Sequence, residues 1–185
     1  MKKIAVIDTE TNWENRVMSI GIVIADSFSY KILDTRYFIL NPEYTMGGMF
    51  SSELLLDPKE MNVICSREDA IRAIDIWLRQ NSVDSLFAYN ASFDKGHLCE
   101  LSGYQWFDIM RIAAYRQHNP VIPNHLECCS TGKLKRGYGV EPMLRMLSGE
   151  HYYCEKHNAL QDAIDELRIM ELLGRTIDYY ACARV

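Results

Sequence analysis

Apolar residues gather into three β-rich runs over the first forty positions. Lys3 to Glu10 opens with Ile4, Ala5, Val6 and Ile7 and ends in Asp8-Thr9-Glu10, the pattern of a buried strand with a polar end. Met18 to Ala25 and Lys31 to Leu40 are the second and third runs. The short polar link Asp26-Ser27-Phe28-Ser29 predicts a hairpin, with strands two and three antiparallel. An irregular stretch with Gly47-Gly48, Met46, Met49 and Met61 follows Asn41-Pro42. The period then changes: Ala70, Ile71, Ala73, Ile74, Trp77 and Leu78 recur at helical spacing between Glu68 and Gln80. Ser85 to Tyr89 reads as a strand, Asp94 to Leu101 as a helix and Trp106-Phe107 as the last strand, with Asp108 capping a helix through Tyr115. Asn119 to Gly139 is loop-like, and helices are predicted over Glu141 to Leu147 and Asn158 to Leu173. Three strands followed by alternating strands and helices predict an α/β fold, a mixed five-stranded sheet flanked by helices.

With 185 residues, the chain is expected to form a single domain over 1–185. A composition of 48% hydrophobic and 24% charged residues excludes a disordered class. No apolar run approaches the roughly 18 residues of a membrane span, and the apolar part of the start is too short for a signal peptide. Six cysteines without such a leader suggest a reducing, cytoplasmic setting. His125, Cys128, Cys129, His151 and Cys154 offer donors to zinc, but no Cys-x-x-Cys spacing organises them, and free thiols are the better reading. A net charge of −5 speaks against a protein that coats a long polyanion.

Three short motifs carry chemistry. On a strand, Asp8 and Glu10 point the same way, and two adjacent carboxylates favour protonation unless a cation joins them. A hard divalent ion such as Mg²⁺ suits carboxylate oxygen. Asn90-Ala91-Ser92-Phe93-Asp94 follows a strand, at the end where α/β proteins assemble their sites. His157-Asn158-Ala159-Leu160-Gln161-Asp162 opens the last amphipathic helix, whose stripe is Leu160, Ala163, Ile164, Leu167 and Met170. Taken singly, these motifs read better as solvated carboxylates, helix caps and a first-turn acid.

Together they resemble the three motifs of the DEDDh family of 3′–5′ exonucleases, the group of the polymerase III proofreading subunit and ribonuclease T. The resemblance runs from Asp8 to Asp162, and Ser19-Ile20-Gly21 and Phe107-Asp108 fit it as well. It implies a ribonuclease H-like sheet and an enzyme that releases nucleoside 5′-monophosphates from 3′ ends. It further implies that Asp8, Glu10, Asp94 and Asp162 bind two Mg²⁺ or Mn²⁺ ions, that His157 is the general base, and that Thr9, Asn90 and Phe93 contact the terminal nucleotide.

The chemistry agrees with that assignment. Two ions about 3.5–4 Å apart can activate water and stabilise a leaving 3′ oxygen, and a histidine with an ordinary pKa near 6.5 can take the proton. Setting the four carboxylates aside changes the net charge from −5 to −1, which suits a protein that holds a few nucleotides at a strand end. Lys95, Arg111, Arg116 and the cluster Lys133, Lys135 and Arg136 could contact phosphates.

The expected partner is the 3′ end of single-stranded DNA or RNA, with no membrane; a homodimer or a polymerase partner stays open. Asn12-Trp13-Glu14-Asn15 replaces the glycine usual after the first motif, and Met46 to Asn62 is either a substrate-specific or a covering segment. The rival reading is a non-catalytic nucleic-acid or protein-binding module on the same fold.

Overall fold

The computed structural model describes residues 2–54 and 62–185. Its centre is a sheet of β1 (Lys3–Thr11), β2 (Val17–Asp26), β3 (Ile32–Leu40), β4 (Val63–Cys65), β5 (Ser85–Ala88) and β6 (Gln105–Asp108), in the order β4-β3-β2-β1-β5-β6. The first three strands form an antiparallel meander, while β5 pairs parallel with β1 and β6 parallel with β5. Asp26 closes the predicted hairpin by accepting the Ser29 N–H at 2.8 Å.

The helices are α1 (Arg67–Gln80), α2 (Ser92–His97), α3 (Met110–Ala113), α4 (Val140–Ser148) and α5 (Ala159–Leu173). Alternation along β1 divides the core between the faces of the sheet. Ala5 and Ile7 pack with Ala70, Ile74 and Trp77 of α1, whereas Ile4 and Val6 pack with Met143 of α4 and Ala163, Leu167 and Met170 of α5. All ten residues of β2 are buried, which makes it the spine of the molecule.

The fold is the expected α/β class with one strand more than the five predicted. β4 pairs parallel with β3 at the edge of the sheet. Three residues are too few to display a period, and Val63 and Ile64 are exposed. Helix α3 stops before Tyr115, and beyond its end the Asn119 side chain donates to the Ala113 carbonyl at 2.7 Å. Helix α2 ends at His97 and passes into a tight turn over Cys99–Leu101. A 3-10 segment, Ile177–Ala183, was not expected and buries Tyr180 completely. Among the described residues, no helix is long and apolar enough to cross a membrane.

Candidate active site

The end of β1 supplies the first two carboxylates. Because Ile4 and Val6 face α5, the period of two places Asp8 and Glu10 on the same face, above the apolar layer. Asp8 lies opposite Gly21 of β2 and Glu10 opposite Ser19. Gly21 admits the start of α5: a Cβ there would lie 2.2 Å from the Ala159 carbonyl and the Leu160 nitrogen. This close backbone approach brings Asp162, in the first turns of α5, over the end of β1.

Asn158 caps α5 by accepting the Leu160 and Gln161 N–H groups at 3.1 and 3.3 Å. His157 precedes it with φ of 54°, a left-handed turn that directs the imidazole toward the carboxylates. Glu10, His157 and Asp162 each offer a ligand atom, all within 4.8 Å of one another. On its other side the His157 ring stacks on Phe50, with centroids 3.9 Å apart and planes at 17°.

The fourth carboxylate follows the neighbouring strand, β5. Asn90, with φ of 63°, turns the chain out of β5, and buried Asp108 holds that turn by accepting the Asn90 and Met110 N–H groups, both at 3.0 Å. Asp94 then lies buried in α2, where the Thr9 hydroxyl donates to it at 2.7 Å. Thr9 is itself buried and orients Asp94, whereas Asn90 and Phe93 are exposed beside it.

Burial sets the electrostatics of this cluster. It pushes Asp162 up to about 8, aided by Glu155, Glu10 and Asp165. It pushes Glu10 up to about 8, aided by Glu155 and Asp94. Asp94 rises to about 7 through burial, against the Thr9 hydrogen bond. Asp8 is driven well above the carboxylate range by burial and then by Asp94, Asp162 and Glu10. A carboxylate cluster of this kind favours protons in the absence of a cation. Asp162 Oδ1 is buried and has no hydrogen-bond partner among the described residues. An all-oxygen donor set with one orphaned oxygen fits a hard divalent ion.

Two further acids belong to this neighbourhood. Glu166 is buried, and Asp8 and Asp94 help to hold its carboxyl well above the ordinary range after burial itself. It lies four residues beyond Asp162 on α5, so helical periodicity alone could have identified it. Glu155 raises both Glu10 and Asp162, and nothing in its sequence context singles it out. Sequence reasoning also missed Phe50.

The turn after β1 closes without glycine. Asn12 Oδ1 accepts the Glu14 and Arg16 N–H groups at 3.0 Å each, and its amide donates to the Glu43 carbonyl at 3.0 Å. Several of the basic residues are engaged within the chain: Lys95 donates to the Val185 carbonyl, Arg116 to the Pro123 carbonyl, and Lys133 sits over the Tyr138 ring. Lys135 pairs with Glu127, and Arg136 is exposed.

No protein-family model matches the sequence, and no curated protein matches it as a relative. Solved structures do. One is a 3′-exonuclease captured in 3′-end-specific recognition of a histone mRNA stem-loop, with a TM-score of 0.65 at 17% identity over 94% of this chain and 64% of that one. A second is the nuclease domain of 3′hExo, a DEDDh family member bound to rAMP, with a TM-score of 0.63 at 16% identity over 92% and 90% of the two chains.

The fold is that of the DEDDh 3′-exonucleases. Exonuclease X, solved with 5′ overhanging duplex DNA, shares this fold over 97% of this chain and 98% of its own, with a TM-score of 0.58 at 19% identity. The chain spans 64% of the first of these 3′-exonucleases and nearly all of exonuclease X.

Proposed function

We propose that the chain is a divalent-metal-dependent 3′–5′ exonuclease that hydrolyses phosphodiester bonds at nucleic-acid 3′ ends and releases nucleoside 5′-monophosphates. The observation that carries this reading is the convergence of Glu10, His157 and Asp162 within 4.8 Å on a cluster of carboxylates that burial holds high. Asp8, Glu10, Asp94 and Asp162 would hold two Mg²⁺ or Mn²⁺ ions. Held there, such ions would supply positive charge to the phosphate and to the departing oxygen.

The chain's own residues do the rest. His157 accepts the proton of the attacking water as its oxygen bonds to phosphorus and the bond to the 3′ oxygen of the preceding nucleotide breaks. The severed 3′ oxygen leaves as a hydroxyl after taking up a proton, and the terminal nucleotide leaves with its phosphate. Thr9 keeps the Asp94 carboxylate in one orientation. Exposed Asn90 and Phe93, next to Asp94, are available to the terminal nucleotide. The partner is a single-stranded 3′ end of DNA or RNA.

The test uses single-stranded DNA and RNA oligonucleotides of one sequence, labelled at the 5′ end, with Mg²⁺ or Mn²⁺ and Asp8→Ala as control. A descending ladder that the variant and EDTA both abolish is the expected result. Metal-induced stabilisation without cleavage of either polymer would refute the nuclease reading, and an absence of both would favour a non-catalytic module.

A further inference from the structure

The segment from Gly47 to Leu54 is strapped across the start of α5 at several points. Gly48 is buried where a Cβ would meet the Thr11 carbonyl at 2.8 Å and the Met18 side chain at 3.0 Å, so the strap lies directly on the ends of β1 and β2. Farther along, the Asn158 amide donates to the Glu53 carbonyl at 2.7 Å, and the Tyr37 hydroxyl donates to the Leu54 carbonyl at 2.9 Å. Asn158 thus caps α5 with its oxygen and ties down the strap with its nitrogen. Between these anchors Phe50 meets the His157 ring face to face.

We propose that Phe50 is a positioning residue for His157, fixing the plane of the imidazole. The inference rests on the exonuclease reading, with His157 as its base. Stacking covers the ring face and leaves both nitrogens free at the ring edge, where protons are exchanged. It also restrains the two side-chain torsions of a histidine whose backbone already sits in the left-handed region.

The experiment compares Phe50→Leu, Phe50→Met and Phe50→Tyr in the wild-type and His157→Ala backgrounds, on a 5′-labelled oligothymidylate with Mn²⁺. The metal-induced rise in Tm verifies the fold of each variant, and NMR of the His157 ring protons reads the stack directly. In the wild-type background Phe50→Leu and Phe50→Met should lower kcat by about 10–100-fold, the effect of loosening a reacting group. KM should hold within about twofold. Phe50→Tyr should retain activity. In the His157→Ala background no Phe50 variant should lower the rate further, because the residue acts only through the base. The His157 ring protons should move downfield in Phe50→Leu as the ring current is lost.

Equal losses in both backgrounds, or a raised KM with kcat kept, would overturn the proposal and make Phe50 a structural or nucleotide-contacting residue. Full activity of Phe50→Leu beside an impaired His157→Ala would overturn it alone. An inactive wild type would overturn the exonuclease reading together with it, and a His157→Ala protein with the wild-type rate would overturn the proposal along with His157 as the base.

Discussion

Burial and neighbouring carboxylates push the Asp162 carboxyl up to about 8, so its charge is a burden on the metal-free fold. Asp162→Asn removes that charge with little change in shape. In EDTA at pH 8 the variant should melt higher by roughly 2–4 °C, the equivalent of about 1 kcal/mol in a chain of this size. The same change should abolish turnover, which a melting curve and an oligonucleotide assay on one preparation would establish. His157→Ala should lower the rate by about 10²–10⁴-fold, the usual contribution of a general base. Its Mn²⁺-induced rise in Tm should persist; loss of that rise would make the imidazole a ligand. Asp8, Glu10, Asp94, Asp162 and His157 were legible in the sequence because each sits at a fixed offset in a short motif. Glu155 and Phe50 were not, because only the folded chain carries them to the same place.

At the scale of elements, the contact between β2 and α5 governs the site. Gly21→Ala would place a methyl carbon 2.2 Å from the main chain of Ala159, and main chain cannot swing aside as a flexible side chain can. The helix must shift, at a cost of about 1–3 kcal/mol or more. Both Tm and the response to Mn²⁺ should fall, and a variant that kept both would show that α5 is free to slide. Asn158→Ala removes the cap of the same helix and should cost about 0.5–2 kcal/mol in a denaturant titration. The strands and long helices were legible because their periods are sustained. Helix α5 carries a subtler lesson: Leu160 and Ile164 of its predicted stripe are only partly buried, while Asp162, Asp165 and Glu166 are buried. Apolarity marks the side of a helix that meets a core, but it does not mark the side that meets a charged site. The edge strand β4 was illegible because three residues display no period.

For the molecule as a whole, the raised carboxyls make stability depend on pH with a definite sign. Asp8, Glu10, Asp94 and Asp162 all bind protons more tightly in the folded state than an unfolded chain does. Metal-free stability from these groups is therefore full below about pH 4 and is lost as pH rises through about 7 to 8. Tm in EDTA should decline from pH 5 to pH 8. Added Mn²⁺ should raise Tm increasingly over the same interval, since the ligands must lose protons to bind it. A Tm increment from Mn²⁺ that stayed flat between pH 5 and pH 8 would show that these carboxyls do not form the metal site. The antiparallel pairing of the second and third strands was legible from the chain because a short polar link joins them. The strap before β4 was not, since its contacts join residues about a hundred positions apart, such as Glu53 and Asn158.

The bare position at Gly21 means that main-chain atoms, which every sequence has, set the gap between strand and helix. That gap works as a gauge block, and the carboxylates on either side inherit its thickness. The measure holds only while that one residue carries no side chain.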